Sequence, residues 1–348
     1  MEVNSSVIER YSEGAKARQA DLCCPVDYDI SLLQALPQEI IEKDYGCGDP
    51  SRYAQPGDTV LDLGSGGGKI CYMTAQIVGQ QGHVIGVDMN DDMLGLARQY
   101  QVELQEKFGT RIDFVKGKIQ DLKLDVEVME AQLANSPINS ADSLLAFETW
   151  KSKQRDETPL IEDNSINLVL SNCVLNLVSD EQKQQLVNEI WRVTKPGGRI
   201  AISDIISDQP IPQSMKNDPE LWSGCISGAF GEKEFLDRFA EVGFQGVRYD
   251  KWDHVPWKVI NDIQFRSVTL VATKPELKNR VAGHAMYAGP YDYVSIAGKI
   301  FERGLREQVS ADDKNKLISA DPLNFIDIDE GSDQPGCCIP ASGSSSCC

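Results

Sequence analysis

The sequence predicts a doubly wound α/β sheet with a small C-terminal α+β appendage, on three observations. From Thr59 onward, short apolar runs alternate with helix-period segments, the pattern of parallel strands joined by right-handed crossover helices. The first apolar run ends in a glycine cluster, Gly64-Ser65-Gly66-Gly67-Gly68, and the second ends in an acid, Asp88. After Lys274 the alternation stops, and short β-like fragments lead into a polar tail of Gly, Ser, Pro and Cys.

The elements follow in order. Residues 1–58 read as a mostly helical, polar segment punctuated by Pro25, Pro37 and Pro50 and expected to contribute to a substrate site. It carries two cysteine runs, Leu22-Cys23-Cys24-Pro25 and Tyr45-Gly46-Cys47-Gly48; the flanking glycines put Cys47 on a loop. Residues 59–63 form a buried strand, and 69–78 a helix. Residues 83–88 form the second strand, 91–106 a helix with Met93, Leu94, Leu96 and Ala97 on its apolar face, and 112–115 the third strand. Residues 123–160, irregular and acidic, read as a surface insertion with one helix. Strand four is 165–171, followed by a helix over 180–193, a turn at 195–198 and strand five at 199–203. A helix over 232–242, stopped by Gly243, precedes two last strands at 244–249 and 265–272. The domain reading is therefore 1–58, 59–274, 275–330 and a disordered Cys-rich tail at 331–348.

The bulk numbers exclude several classes. Against 34 Lys+Arg stand 53 Asp+Glu, a net charge of −19. Such a surface repels nucleic-acid phosphates and anionic lipid, so neither is an expected partner. No apolar run reaches the roughly 18 residues of a spanning helix, and the polar N-terminus lacks the apolar core of a signal peptide. A cytoplasmic location is expected. In that reducing setting the ten cysteines read as thiols, ligands or redox partners, not as a disulfide framework. Four of them form two tail pairs, Cys337-Cys338 and Cys347-Cys348.

The glycine turn after the first strand lets backbone approach a ligand at a helix N-terminus. A phosphate loop fails there, because Leu63 and Ile70 stand where glycine and Ser/Thr are needed. A dinucleotide turn does not require the acid Asp62, which suits a ligand with a cationic amino group. Asp88, 24 positions after Gly64, can accept both hydroxyls of a ribose. This D-x-G-x-G, V-D and K-P-G-G pattern resembles the Rossmann-like class I methyltransferases. The resemblance implies S-adenosyl-L-methionine as methyl donor, with Gly64, Ser65 and Gly66 beside its methionine part and Asp88 on its ribose. It also implies Met89 against the adenine and Ile119 near the same ring. Asn172, in the S-N-C run after strand four, is assigned to the same donor site.

For the acceptor, the chain offers little base chemistry. Of its three histidines, His83 reads as structural, His254 as a surface residue and His284 lies outside the sheet. The cysteines offer more. Cys173 lies just past the carboxyl end of strand four, the edge where open parallel sheets bind ligands. Cys47 precedes the first strand and Cys225 follows the fifth, in Trp222-Ser223-Gly224-Cys225. Three converging thiolates suit a thiophilic trigonal centre such as trivalent arsenic, whose lone pair attacks a sulfonium methyl without a base. Cys71, on the helix after the glycine turn, reads as a small buried hydrophobe.

Y-G-C-G, S-N-C-V-x-N-L and W-x-x-C-x-x-G-A resemble the arsenite methyltransferase family over most of residues 20–325. The resemblance implies As(III) bound by Cys47, Cys173 and Cys225, with arsenite or its thiol conjugates as substrate. It implies a turnover disulfide between Cys47 and Cys23 or Cys24, restored by thioredoxin or glutathione. The products would be methylated arsenicals and S-adenosylhomocysteine. This chain departs from the family pattern in its long 123–160 insertion and in the segment 257–263. Two alternatives stay open: methylation of another small molecule (a quinone, a sterol or a different thiophile), or a non-catalytic thiol protein that binds metalloid.

Overall fold

The computed structural model describes residues 3–16, 26–43, 45–276, 281–296, 298–320 and 324–329. Cys23, Cys24 and the four tail cysteines lie outside the described residues. The chain divides into two compact units, Met1–Lys274 and Pro275–Cys348.

In the first unit, helices α1 (Val3–Lys16), α2 (Ile30–Leu33) and α3 (Gln38–Lys43) precede β1 (Thr59–Leu63). Then come α4 (Lys69–Val78), β2 (His83–Asp88), α5 (Asp91–Gln99), α6 (Gln101–Phe108) and β3 (Arg111–Lys116). The insertion holds α7 (Val126–Asn135) and α8 (Ala141–Glu157) before β4 (Ile166–Asn172) and α9 (Asp180–Val193). After β5 (Thr194–Ser207) stand α10 (Gln213–Lys216), α11 (Pro219–Ser223), β6 (Phe230–Gly231) and α12 (Glu232–Glu241). Strands β7 (Gln245–Trp252), β8 (Lys258–Ile260) and β9 (Ile263–Thr273) complete it.

The main sheet runs β3-β2-β1-β4-β5-β9-β7, with β1 to β5 parallel. The doubly wound fold is as the sequence predicts. Its order reverses between β1 and β4, the switch point where such sheets bind ligands. Period-2 alternation splits the core between the two faces. Leu61, Leu63 and Val169 pack with Leu186, Ile190 and Phe235 on one side. Val60, Leu168 and Leu170 pack with Ile70, Tyr72 and Leu94 on the other. Strands buried on both faces have no polar side to show, so they read as continuous apolar runs.

Four details depart from the expectation. Strand β9 runs antiparallel to both β5 and β7, so the sheet is not parallel throughout. The expected turn at 195–198 is absorbed into β5, whose partner on β4 jumps from Ile166↔Thr194 to Leu168↔Arg199. That bulge takes up the extra residues, with Gly197 at φ 79°. The expected helix over 91–106 divides at Tyr100. The insertion contains two helices instead of one. Helix α8 starts on a capping box between Ser140 and Ser143 and buries no residue; Arg155 pins it through Asp121 at 2.7 Å.

The second unit is a small α+β body. Strands β10 (Gly283–Tyr287), β11 (Tyr293–Ile296), β12 (Lys299–Glu302) and β13 (Arg306–Val309) precede α13 (Ala311–Ala320) and β14 (Phe325–Asp327). They pair as β13-β10-β14 and as the hairpin β11-β12. Ala285, Tyr287, Phe301, Leu317 and Phe325 form its core. Lys314, buried, is neutralised by Asp327 and Asp329, as a buried ammonium requires.

Candidate functional site

A cavity of about 260 Å³ opens at the carboxyl ends of β1, β2 and β4. Its floor is the glycine turn. Gly64 and Gly66 have φ of 70° and 53°, a region that favours glycine, and a Cβ at Gly64 would collide with the Val174 side chain. Asp88 ends β2 at the cavity wall. Its carboxylate accepts the N–H of Gly66 at 2.8 Å and of Asn90 at 2.8 Å. Burial pushes its pKa above the usual aspartate range, against the pull of those backbone donors. Met89 and Ile119 supply apolar wall, and Asn172 and Cys173 close the far side.

Behind that far side the cysteine segments meet. Cys47 and Cys173 are joined as a disulfide, their Cα atoms 5.8 Å apart. Asn172 aligns the first strand end with the second segment: its Oδ1 accepts Cys47 N–H at 2.9 Å and Gly48 N–H at 3.0 Å, and its Nδ2 donates to Gly48 O at 2.8 Å. A Cβ at Gly46 would collide with that amide, and one at Gly48 with Ser203. The glycines beside Cys47 therefore serve close packing more than loop freedom. On the other side, Cys173 N–H donates to Ser203 O at 2.8 Å. The Cys225 thiol, also buried, lies 3.2 Å from Cys173 O. Both Cys173 and Cys225 have left-handed backbone, φ 63° and 62°, which costs a non-glycine residue on the order of 1 kcal/mol.

Helix α1 roofs the cavity with Val7, Ile8 and Tyr11. Asn90 Nδ2 donates to Ile8 O at 3.1 Å and to Ser12 Oγ at 3.0 Å. Arg10 donates to Ser223 Oγ at 2.9 Å, and Tyr45 OH to Gly14 O at 3.1 Å. The Tyr11 hydroxyl stands 3.9 Å from Cys225 Sγ; burial first, then the neighbouring thiol, holds its pKa well above the phenol value. Beneath it a small recess lies between Tyr11, Tyr45, Cys173, Cys225 and Trp257.

The sequence-derived residues fall into three groups. Gly64, Gly66, Asp88, Met89, Ile119, Asn172 and Cys173 line the cavity. Cys47 and Cys225 adjoin it through Cys173. Asp62 and Ser65 are buried beside it, not on its wall: alternation along β1 turns Asp62 to the α4 face, where the Cys71 thiol is 3.2 Å from its carboxylate. Cys71 is thus a hydrogen-bond donor as well as a core residue. Cys47 is joined to Cys173, a partner the family resemblance did not name for it, while Cys23 and Cys24 lie outside the described residues. His83 pairs with Asp113 at 2.7 Å on the sheet, and no histidine is among the described residues that line the cavity or the recess.

Sequence reasoning missed Asp204. It is fully buried in β5, and a carboxylate oxygen lies within 4.8 Å of the sulfurs of Cys47 and Cys173. Its Oδ2 accepts Leu175 N–H at 2.9 Å and Asn176 N–H at 3.4 Å, and Oδ1 accepts Ile205 N–H at 2.8 Å. Burial lifts its pKa to about 7 despite these donors. The signal was an acid inside an apolar strand run, one residue past the position of β5 that pairs with the end of β4.

A largely parallel sheet with a glycine turn and a strand-end acid at its switch point, its cavity roofed by an N-terminal helix, defines a doubly wound α/β fold with a ligand cavity at the switch point. Residues 54–243 match the methyltransferase domain family, and the chain belongs to that family. It is 33% identical over 239 residues to an arsenite methyltransferase of Halobacterium salinarum, covering 66% of this chain and 50% of that one. It is 29% identical over 306 residues to an arsenite methyltransferase of Mus musculus, covering 84% and 71%. Among solved structures it resembles an arsenic(III) S-adenosylmethionine methyltransferase from Chlamydomonas reinhardtii, with TM-score 0.57 and 26% identity over 87% of this chain and 96% of that one. The chain spans about half the length of the Halobacterium relative.

Proposed function

We propose that the protein transfers a methyl group from S-adenosyl-L-methionine to trivalent arsenic held by Cys47, Cys173 and Cys225. The observation that carries this reading is the joining of Cys47 to Cys173 at the rim of the switch-point cavity, with the Cys225 thiol 3.2 Å from Cys173 O. The arsenite methyltransferases to which the chain is similar support the same substrate.

The cavity residues fit the donor. Met89 and Ile119 offer apolar surface to a purine, Asp88 a carboxylate to ribose hydroxyls, and Gly64 and Gly66 a wall without side chains. When bound, the donor supplies an electrophilic methyl on a sulfonium. Cys173 touches both the cavity and the recess, so a metalloid on its sulfur sits between them. The arsenic lone pair then forms the As–C bond as the S–CH₃ bond breaks, and S-adenosylhomocysteine leaves. Positioning supplies the rate; α1, with Tyr11, and Tyr45 beside it exclude water.

Methyl transfer formally oxidises arsenic by two electrons. Two thiolates can return those electrons by forming one disulfide, and Cys47–Cys173 is such a pair. Turnover then needs an external thiol, for which glutathione or thioredoxin serves. The test is methyl transfer from labelled donor to arsenite with glutathione, in wild type and Cys173→Ser. Methylated arsenic from wild type alone supports the reading; equal activity in both sinks it.

A further inference from the structure

Cys47, Cys173 and Asp204 each direct a ligand-type atom into one place, all within 4.8 Å of one another. Arsenic(III) chemistry asks for sulfur and leaves a carboxylate oxygen without a task. Two soft sulfurs with one hard oxygen are instead the donor set of a borderline divalent ion. We propose that the reduced protein binds a thiophilic divalent cation of the zinc or cadmium type through Cys47, Cys173 and Asp204, in competition with the metalloid for the same sulfurs.

Distance, preorganisation and access all support such a site. Around tetrahedral zinc, ligands at about 2.0–2.3 Å from the metal lie roughly 3.3–3.8 Å apart, so on reduction the two sulfurs, bonded to each other in this structure, must separate while the Asp204 oxygen stays within reach. Three backbone N–H groups hold Asp204 in place. A carboxylate offers about four lone-pair positions, which leaves one for a metal. Ser267 donates to Cys47 O at 2.5 Å and Cys173 N–H to Ser203 O, so both cysteine backbones are fixed from outside the cluster. Cys47 and Asp204 are fully buried, but Cys173 lines the large cavity. That side provides both the entrance and an open fourth position, the arrangement of zinc sites that keep an exchangeable ligand.

On binding, two thiol protons leave to solvent, two sulfur–metal bonds and one oxygen–metal bond form, and no electrons move. The ion's two positive charges offset the two thiolates formed, so the buried charge stays at the −1 of the Asp204 carboxylate and no unpaired thiolate is left buried. The bound ion blocks both disulfide formation and metalloid entry. Only this competition rests on the proposed arsenite reaction; the site itself does not.

The experiment uses the full chain with Cys23, Cys24, Cys337, Cys338, Cys347 and Cys348 changed to Ser, reduced with a phosphine, and titrated with cadmium. The readout is the ultraviolet thiolate-to-cadmium charge-transfer band, with no methyl donor present. One equivalent should saturate it. Cys173→Ser should abolish it, and Asp204→Asn should weaken binding about ten- to a hundredfold. Cys225→Ser should leave the affinity unchanged within about twofold. A cadmium-113 spectrum of the chain with Asp204 intact should report two-sulfur coordination, which holds even if Asp204→Asn fails to fold. A three-sulfur spectrum, no saturable band, or full affinity in a folded Asp204→Asn overturns the proposal. Cadmium binding without arsenite methylation would sink the proposed function alone, and methylation without cadmium binding would sink this site alone.

Discussion

Asn172 holds Cys47 from 125 residues away, through two accepted hydrogen bonds and one donated to the next carbonyl. The amide side chain thus does for an irregular loop what a neighbouring strand does for a sheet edge: it satisfies buried backbone groups in one register. Asn172→Ala leaves two N–H groups and one carbonyl unpaired, at about 1 kcal/mol or more each. We expect a stability loss of about 2–4 kcal/mol by urea unfolding and slower closure of the Cys47–Cys173 bond after reduction. An unfolding midpoint equal to wild type would show that the clamp is not holding the loop.

Gly46 faces the same amide. A methyl group there collides with Asn172 Nδ2, so Gly46→Ala must displace either the clamp or the Cys47 loop. Its expected signature is loss of arsenite methylation together with weaker adenosylmethionine binding by calorimetry, because Asn172 lines the same cavity. Gly95→Ala is the control: it lies exposed within α5, where a Cβ meets nothing within 4 Å. It should gain up to about 1 kcal/mol from helix propensity.

These clamps were not legible beforehand, while the strands they serve were. Runs such as Thr59–Leu63 and His83–Asp88 declare themselves because strands buried on both faces carry apolar residues without interruption. The antiparallel sense of β9 leaves no mark on composition, since a buried strand reads alike in either direction. Strand β5 seemed to end at Ser203 because Asp204 breaks its apolar run, and that same reading hid the acid nearest the sulfurs. Helix α8 buries nothing, so it has no apolar stripe to betray it. The cysteine sites at the sheet edge could be read from topology. The Cys47–Cys173 pairing, across 126 residues, and the left-handed backbone at Cys173 and Cys225 depend on tertiary packing alone.

That backbone gives a test at Cys173. A side chain at φ 63° is strained, and glycine relieves the strain. Under reducing conditions Cys173→Gly should be more stable than Cys173→Ala by about 1 kcal/mol, although glycine ordinarily costs entropy. Both should lose arsenite methylation. Thermal denaturation in excess phosphine measures the difference, and a more stable alanine variant would show that the left-handed conformation is absent from the reduced protein.

Asp88 should set a pH dependence on donor binding. Burial raises its pKa, yet a ribose needs its ionised form to accept both hydroxyl hydrogens. Adenosylmethionine affinity should therefore fall as pH drops through that raised value, by up to tenfold per pH unit below it. The onset should come above the pH of about 4 typical of an exposed aspartate. Asp88→Asn should bind about ten- to a hundredfold more weakly, since it exchanges charge-assisted hydrogen bonds for neutral ones, and should lose this pH dependence. The sign for stability is opposite. With the folded pKa raised, the native state holds the proton longer than the unfolded chain. This residue's contribution is full below the unfolded pKa and is lost as pH rises through the folded one. The donor-free wild type should thus lose melting temperature relative to Asp88→Asn as pH rises across that window, while its affinity for the donor improves. Calorimetric affinity and thermal melts over the same buffer series measure both slopes, and parallel slopes would rule out a buried Asp88 carboxylate as the group that receives the ribose.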